Sequence, residues 1–325
     1  FYCSSWAKLP PSTEHYADLM HDGAMREFIR NSYEPYAERF RKEFGKAIPG
    51  IFTDEPQLQT ALPWSLRMPE EFRKRRGYDL LKKLPHLLFK TAESGKVRHD
   101  FWKTVYELFD ESFSAQIGEW CERNNVRFTG HLNAEQTLQS QIQCAGGTMH
   151  HYKHMQAPGI DILCEKIDEV ITCKQTSSVA AQFGRERVLS ELYGCTGYHF
   201  SFEGQKWIGD WQMALGVNLL CQHLTYYTMK GPAKRDYPPS YNYQTPWWRH
   251  YRFIADYQAR LTYALMQGKA VRDILLVHPL SSAWMRYDPS APNRDLGDMD
   301  AGFKQVMQNL LDLHRDFDLS DEWLM

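Results

Sequence analysis

The chain has 325 residues, of which 43% are hydrophobic, enough for one large domain and a smaller one around a real core. Its 38 Lys and Arg nearly balance 40 Asp and Glu, leaving a formal net charge of -2, so neither a nucleic-acid groove nor an anionic membrane surface is indicated. No apolar run reaches the length of a membrane span, and the first residues lack the charged-then-apolar layout of a signal peptide.

In chain order, Met25, Phe28, Ile29, Tyr33 and Tyr36 predict an amphipathic helix over 22–45, closed by Gly45. Ile48 to Pro56 reads as a short strand, and 68–91 as helix broken near Gly77 and Pro85. A long helix from His99 to Asn124 aligns Phe101, Val105, Leu108, Phe109 and Phe113. Val126 to His131 is the next strand, and Ala134 to Cys144 a helix. Gly159 to Leu163, Arg187 to Tyr193 and Gly216 to His223 read as further strands, separated by helices over 175–183 and 203–215. The Pro- and Tyr-rich stretch 229–246 predicts a loop over a cleft, and Trp247 to Gln267 a helix capped by Gly268. Arg272 to Pro279 then reads as a buried strand and Phe303 to Phe317 as a helix, the opening unit of a second α/β domain.

Strands that alternate with helices predict a parallel sheet. Several of these strands end in polar residues, as a (β/α) barrel with its active site at the C-terminal strand ends requires. Neither GxGxxG nor GxxxxGK[ST] occurs, which argues against an open nucleotide-binding sheet, and no GxSxG elbow marks a serine hydrolase.

The first strand tip carries Asp54 and Glu55. Pro56 disfavours helical dihedrals at Glu55, so an extended conformation is expected, with the two acids on opposite sides of the strand. Glu191 ends an apolar strand and is followed by Tyr193-Gly-Cys-Thr-Gly197; it is either an active-site group or the ion-pair partner of Arg185 or Arg187. Together, Glu55 and Glu191 meet the need of glycoside hydrolysis for one carboxylic acid and one carboxylate. His131, Asn133 and Glu135 form a cluster suited to sugar hydroxyls, with Glu135 a candidate Ca²⁺ ligand or a helix-capping group. Asp161 lies in a strand that reaches the cleft, and Tyr193, Trp207, His223 and Tyr226 complete the candidate substrate-binding set. Aromatic residues reach 14%, and Trp211, Tyr227, Trp247 and Trp248 are further candidate sugar platforms or core rings. The His150-His151-Tyr-Lys-His154 tract reads as polar contacts, because adjacent histidines cannot converge on one zinc. Seven cysteines (Cys3, Cys121, Cys144, Cys164, Cys173, Cys195, Cys221) contain no CxxC pair; free thiols are expected, which fits a cytoplasmic location and leaves the periplasm or secretion open.

The motifs Gly50-Ile-Phe-Thr-Asp-Glu-Pro56, Thr129-Gly-His-Leu-Asn-Ala-Glu135, Pro158-Gly-Ile-Asp161 and Ser190-Glu-Leu-Tyr-Gly-Cys-Thr-Gly197, followed by Trp207, Asp210-Trp211, Gly216-Val-Asn218 and His223, resemble glycoside hydrolase family 106, the α-L-rhamnosidases, from about residue 16 onward. The resemblance implies a (β/α)8 barrel over 1–270, incomplete at its N-terminal strands, and the start of a flavodoxin-like domain over 271–325. It also implies that further domains of a longer chain are missing. By the same resemblance, Glu55 would be the general acid and Glu191 the general base of an inverting, exo-acting glycosidase. No cofactor is required, and Ca²⁺ is the one ion the resemblance leaves open. The expected partner is carbohydrate. A retaining β-galactosidase-like enzyme and a non-catalytic carbohydrate-binding fragment are the alternatives.

Overall fold

The computed structural model describes residues 16–58 and 60–325; Cys3 lies outside the described residues. The first predicted helix is two. Helix α1 (Asp22–Ser32) buries Met25 and Ile29, and α2 (Glu34–Phe40) restarts with Pro35 in its first turn. Proline has no N–H to give to a continuing helix, but it suits a first turn, where that N–H has no partner.

Strand β1 (Gly50–Asp54) follows, then α3 (Met68–Arg76), stopped by Gly77 in the left-handed conformation, and the short α4 (Pro85–Leu88). The long predicted helix is continuous but not uniform. Helix α5 (Ser94–Phe109) widens into a π-helical turn over Asp110–Ala115 before α6 (Gln116–Arg123) resumes. Phe101, Trp102, Val105 and Phe109 are buried along it. Strand β2 (Arg127–His131), α7 (Leu138–Ala145), α8 (Met149–Lys153), β3 (Ala157–Ile162), α9 (Val170–Gln182), β4 (Leu189–Leu192), α10 (Phe202–Ala214) and β5 (Leu219–Gln222) complete the alternation.

The five strands pair in sequence order, every pair parallel, and the sheet curls as half a barrel would. The register matters for the site. Asp54 pairs with His131 across β1 and β2, and Asp161 pairs with Glu191 across β3 and β4. Neighbours in a parallel ladder point to the same side, so each pair faces one end of the sheet together. The strands come this close partly through glycine. A Cβ on Gly130, whose φ is +122°, would meet the Thr53 carbonyl oxygen at 2.0 Å, and one on Gly159 would meet that of Gly130 at 2.4 Å. No other residue fits there.

After α11 (Arg252–Leu265), strand β6 (Leu275–Val277) leads through α12 (Leu280–Arg286) and α13 (Arg294–Asp312) to β7 (Asp318–Ser320), which pairs parallel to β6. Helix α13 begins nine residues before the predicted Phe303, because its first turns are polar and carry little periodic signal. The short α8, α12 and β7 were not predicted. Leu280, Trp284, Tyr287, Phe303, Met307, Phe317 and Leu319 are buried in the same apolar cluster as α5 and α7. The indole Nε1–H of Trp284 donates to the Gly146 carbonyl at 2.6 Å, and the ring packs edge-on to Tyr106 and His99. Residues 280–319 therefore share the core of the preceding chain. The substitution Trp284→Ala should cost about 3–5 kcal/mol, read as a lowered urea midpoint in equilibrium unfolding.

Candidate active site

The sheet brings four acids and two imidazoles together. His131, at the end of β2, is fully buried, and its Nε2–H donates to Glu191 Oε2 at 2.9 Å. The same nitrogen lies 3.7 Å from Asp54 Oδ1. On the other side of Glu191, His223 Nε2 stands 3.6 Å from Oε1. Ligand-type atoms of Glu55, His131 and Asp161 all lie within 4.8 Å of one another, as do those of Asp54, His131 and Glu191.

Glu55 joins this group by a route the sequence did not suggest. It is not extended but left-handed, with φ 48°, and its N–H donates to the His131 carbonyl at 3.2 Å. An extended continuation of β1 would have sent Asp54 and Glu55 to opposite faces. The left-handed turn breaks that alternation, and both carboxylates arrive beside His131. Such a backbone costs roughly 1–3 kcal/mol and is fixed here by the bond to β2. Ala134, Cys164, Tyr193 and Cys195, just past the ends of β2, β3 and β4, are left-handed too. Backbone of this kind clusters where function fixes the chain.

The electrostatics separate the acids into two kinds. The His131 hydrogen bond holds the Glu191 carboxyl below the usual carboxylate range against the opposing effect of burial, helped by the charges of His131 and His223. Glu55 moves the other way: burial raises it, His131 offsets part of the rise, and the negative charges of Asp54 and Glu191 add to it. Burial likewise pushes Asp161 up to about 7, with Glu191, Glu55 and Asp54 contributing. Asp161 Oδ1 is buried without a hydrogen-bond partner. For His131 itself, burial alone would favour the neutral ring; the Glu191 bond and the charges of Asp161, Glu135 and Glu191 outweigh it and raise the imidazole to about 9. Neither Arg185 nor Arg187 pairs with Glu191. Arg185 donates to the Lys153 carbonyl, and Arg187 to Asn218 and Met266.

Other candidates fall elsewhere. Glu135 is buried behind His131, where its Oε1 accepts from the Tyr152 hydroxyl at 2.5 Å; burial lifts its carboxyl to about 8, and it belongs to neither ligand group. Asn133 is half-buried in the loop after β2. Tyr193 is a core residue: it is fully buried, its hydroxyl donates to the Gln205 carbonyl and accepts from Gln258, and its ring stacks on Tyr241. Tyr226 is also buried, with its hydroxyl committed to the Asp236 carbonyl at 2.6 Å. Trp207 is exposed on α10 and Tyr227 is fully exposed, whereas Trp247 packs among Tyr241, Tyr251 and Phe202. The histidine tract forms α8, not a loop; His151 meets Ser114 at 2.8 Å and His154 meets Asp110 at 3.2 Å.

The link that sequence reasoning missed is His131 to Glu191. His131 read as a sugar ligand because only the curled sheet brings it to Glu191, two strands away. A proton-NMR titration should show the His131 ring losing its proton near pH 9. In Glu191→Gln the midpoint should move down, since removing the anion removes what favours the imidazolium.

Comparison with known proteins comes from three sides. The glycoside hydrolase family 106 model, described as alpha-L-rhamnosidase, matches residues 8–295. A curated protein named "Putative beta-glucuronidase" from Formosa agariphila is 25% identical over 272 residues, which is 80% of this chain and 22% of that protein. The structure of a rhamnosidase from Novosphingobium sp. PP1Y superposes with a TM-score of 0.65 at 18% identity, over 80% of this chain and 26% of that one, a likeness of fold. The chain thus spans about a quarter of the length of either relative.

Proposed function

Because the chain belongs to glycoside hydrolase family 106, we propose that it holds the acid and the base of an exo-acting glycosidase that releases a terminal α-L-rhamnose-like sugar with inversion. The observation that carries this reading is the opposite tuning of two carboxyls in one cluster: Glu55 is raised while Glu191 is lowered. Paired acids whose environments push them apart are how a glycosidase keeps one group protonated and its partner ionised. Glu55 would give its proton to the glycosidic oxygen as the C–O bond breaks. Glu191 would take a proton from the water that attacks the anomeric carbon from the opposite face. His131 and His223 would keep Glu191 anionic and aimed. The curled sheet is then one part of a (β/α)8 barrel with its chemistry at the C-terminal strand ends. Residues 271–325 would open a second, flavodoxin-like unit docked on it.

The charge of the site bears on the sugar. Among the described residues, no Lys or Arg forms an ion pair with Asp54, Glu55, Asp161 or Glu191. A uronate carboxylate would meet this negative cluster unpaired, so a neutral sugar suits it better than the glucuronide in the curated relative's name. The purified protein should hydrolyse an aryl α-L-rhamnoside faster than the β-D-glucuronide. Glu191→Gln should lose about 10²–10⁴-fold in kcat while still unfolding cooperatively, at a lowered midpoint because His131 loses its anion, and NMR of the fresh product should show the inverted anomer. Sugar binding without any hydrolysis by the unmodified protein would favour the binding-fragment reading; a retained anomer would favour a nucleophilic Glu191.

The same acids suit a hard cation. Asp161 has an unpartnered oxygen, and Glu55 and Asp161 repel each other. Ca²⁺ is bound by carboxylate oxygens, so Asp161 would offer it a ligand while Glu55 keeps the proton the reaction needs. A bound ion would supply orientation of sugar hydroxyls. Adding CaCl2 should raise the thermal midpoint, EDTA should reverse the rise, and Asp161→Asn should abolish it.

A further inference from the structure

Two thiols stand together at the mouth of the sheet, beyond the acids. The β3–β4 ladder runs in register to Ile162 and Leu192, and the Cys164 N–H extends it by donating to the Gly194 carbonyl at 2.8 Å. Cys164 is therefore level with Gly194, and Cys195 follows one residue on. With strands roughly 4.7–4.9 Å apart and a rise of about 3.3 Å per residue, a residue one position out of register is about 6 Å away, inside the window of about 4.4–6.8 Å that disulfide-linked Cα atoms occupy. The Cys164 thiol is near enough to add to the effect of burial in raising the Cys195 thiol, and both residues are exposed. Both also take left-handed backbone, with φ 68° and 65°, so the two segments leave the sheet at the same level. The remaining thiols differ. Cys121 and Cys173 are buried, Cys144 is half-buried, and Cys221 is exposed on β5.

We propose that Cys164 and Cys195 are a modification site: a dithiol that reacts with small disulfides of the glutathione type and closes to a reversible Cys164–Cys195 bond. The thiolate of one cysteine attacks a sulfur of the small disulfide, forms a mixed disulfide and expels one small thiolate. The second cysteine, as thiolate, attacks the protein sulfur of that bond and expels the other. Two protein thiols are oxidised, one small disulfide is reduced to two thiols, and the two cysteine protons pass to the leaving thiolates. The bond closes a ring that holds α9 and β4 with Glu191, while Asp161 lies three residues before Cys164. Closure would therefore clamp the gap between Asp161 and Glu191. The proposal rests on thiol placement and stands independently of the glycosidase reading.

The test is to reduce the purified protein, remove the reductant, add oxidised glutathione, quench with acid, alkylate the remaining thiols and map the peptides. The expected result is a linked Cys164–Cys195 peptide, the loss of two alkylatable thiols, and full reversal by dithiothreitol. Cys164→Ser should trap glutathione on Cys195, and Cys195→Ser should trap it on Cys164. Exposed Cys221, which has no thiol beside it among the described residues, should carry a single adduct and never a bridge to either. If Cys164 and Cys195 in the unmodified protein are found alkylated or separately glutathionylated, with no linked peptide, the proposal is overturned; this outcome does not depend on how the variants fold.

Discussion

One imidazole, sealed among carboxylates, organises the working end of this protein. A buried cation is costly to desolvate unless an anion is paired with it, and His131 meets that condition with Glu191 bonded to it and Asp54 3.7 Å away. The dependence runs both ways. Without the ring, four acids would share one small region, and repulsion would protonate or splay them. With it, one acid is pinned as an anion while others are left to hold protons. The division of labour among chemically similar side chains thus follows from where a single positive charge sits.

The parallel register makes this possible. Strand order and pairing set Asp54 beside His131 and Asp161 beside Glu191 before any side chain chooses a rotamer. Apolar clusters fix the sheet from behind: one joins β1 and β2 to the helices and runs on to Leu319, and two smaller ones hold Ile160 and Ile162 of β3 and Leu192 of β4. The rigid part of the molecule holds the strand tips, and the left-handed residues just beyond them aim the functional groups. This arrangement sets catalytic precision on strands and leaves variation to loops.

Much of the fold could be read from the sequence because its cues are local. Alternating apolar runs and polar strand ends announced the five strands, and Gly77 marked a helix end, whereas the helix expected to be capped by Gly268 stops at Leu265 with Met266 as its cap. Pro35 divided the first helix by a rule as local as the others, but the periodicity of Met25, Ile29 and Tyr36 obscured it. The site was legible in its membership more than in its wiring. Glu55 and Glu191 were identified by type and position, yet the local rule for a residue before proline gave the wrong backbone at Glu55, because a hydrogen bond from β2 overrides it. Tyr193 and Tyr226 illustrate the converse error. A tyrosine beside a candidate catalytic residue resembles a sugar platform in one dimension, but burial and committed hydroxyls make both structural. Contacts across strands, which sequence spacing does not encode, decided each of these cases.

The seam of missing side chains between Thr53, Gly130 and Gly159 has an evolutionary implication. Where backbone touches backbone, no mutation can introduce a new group without prising the strands apart, so the sheet beneath the acids is closed to innovation. Any descendant that comes to prefer a different sugar must acquire that preference from the walls, through the segments that rise past the strand tips.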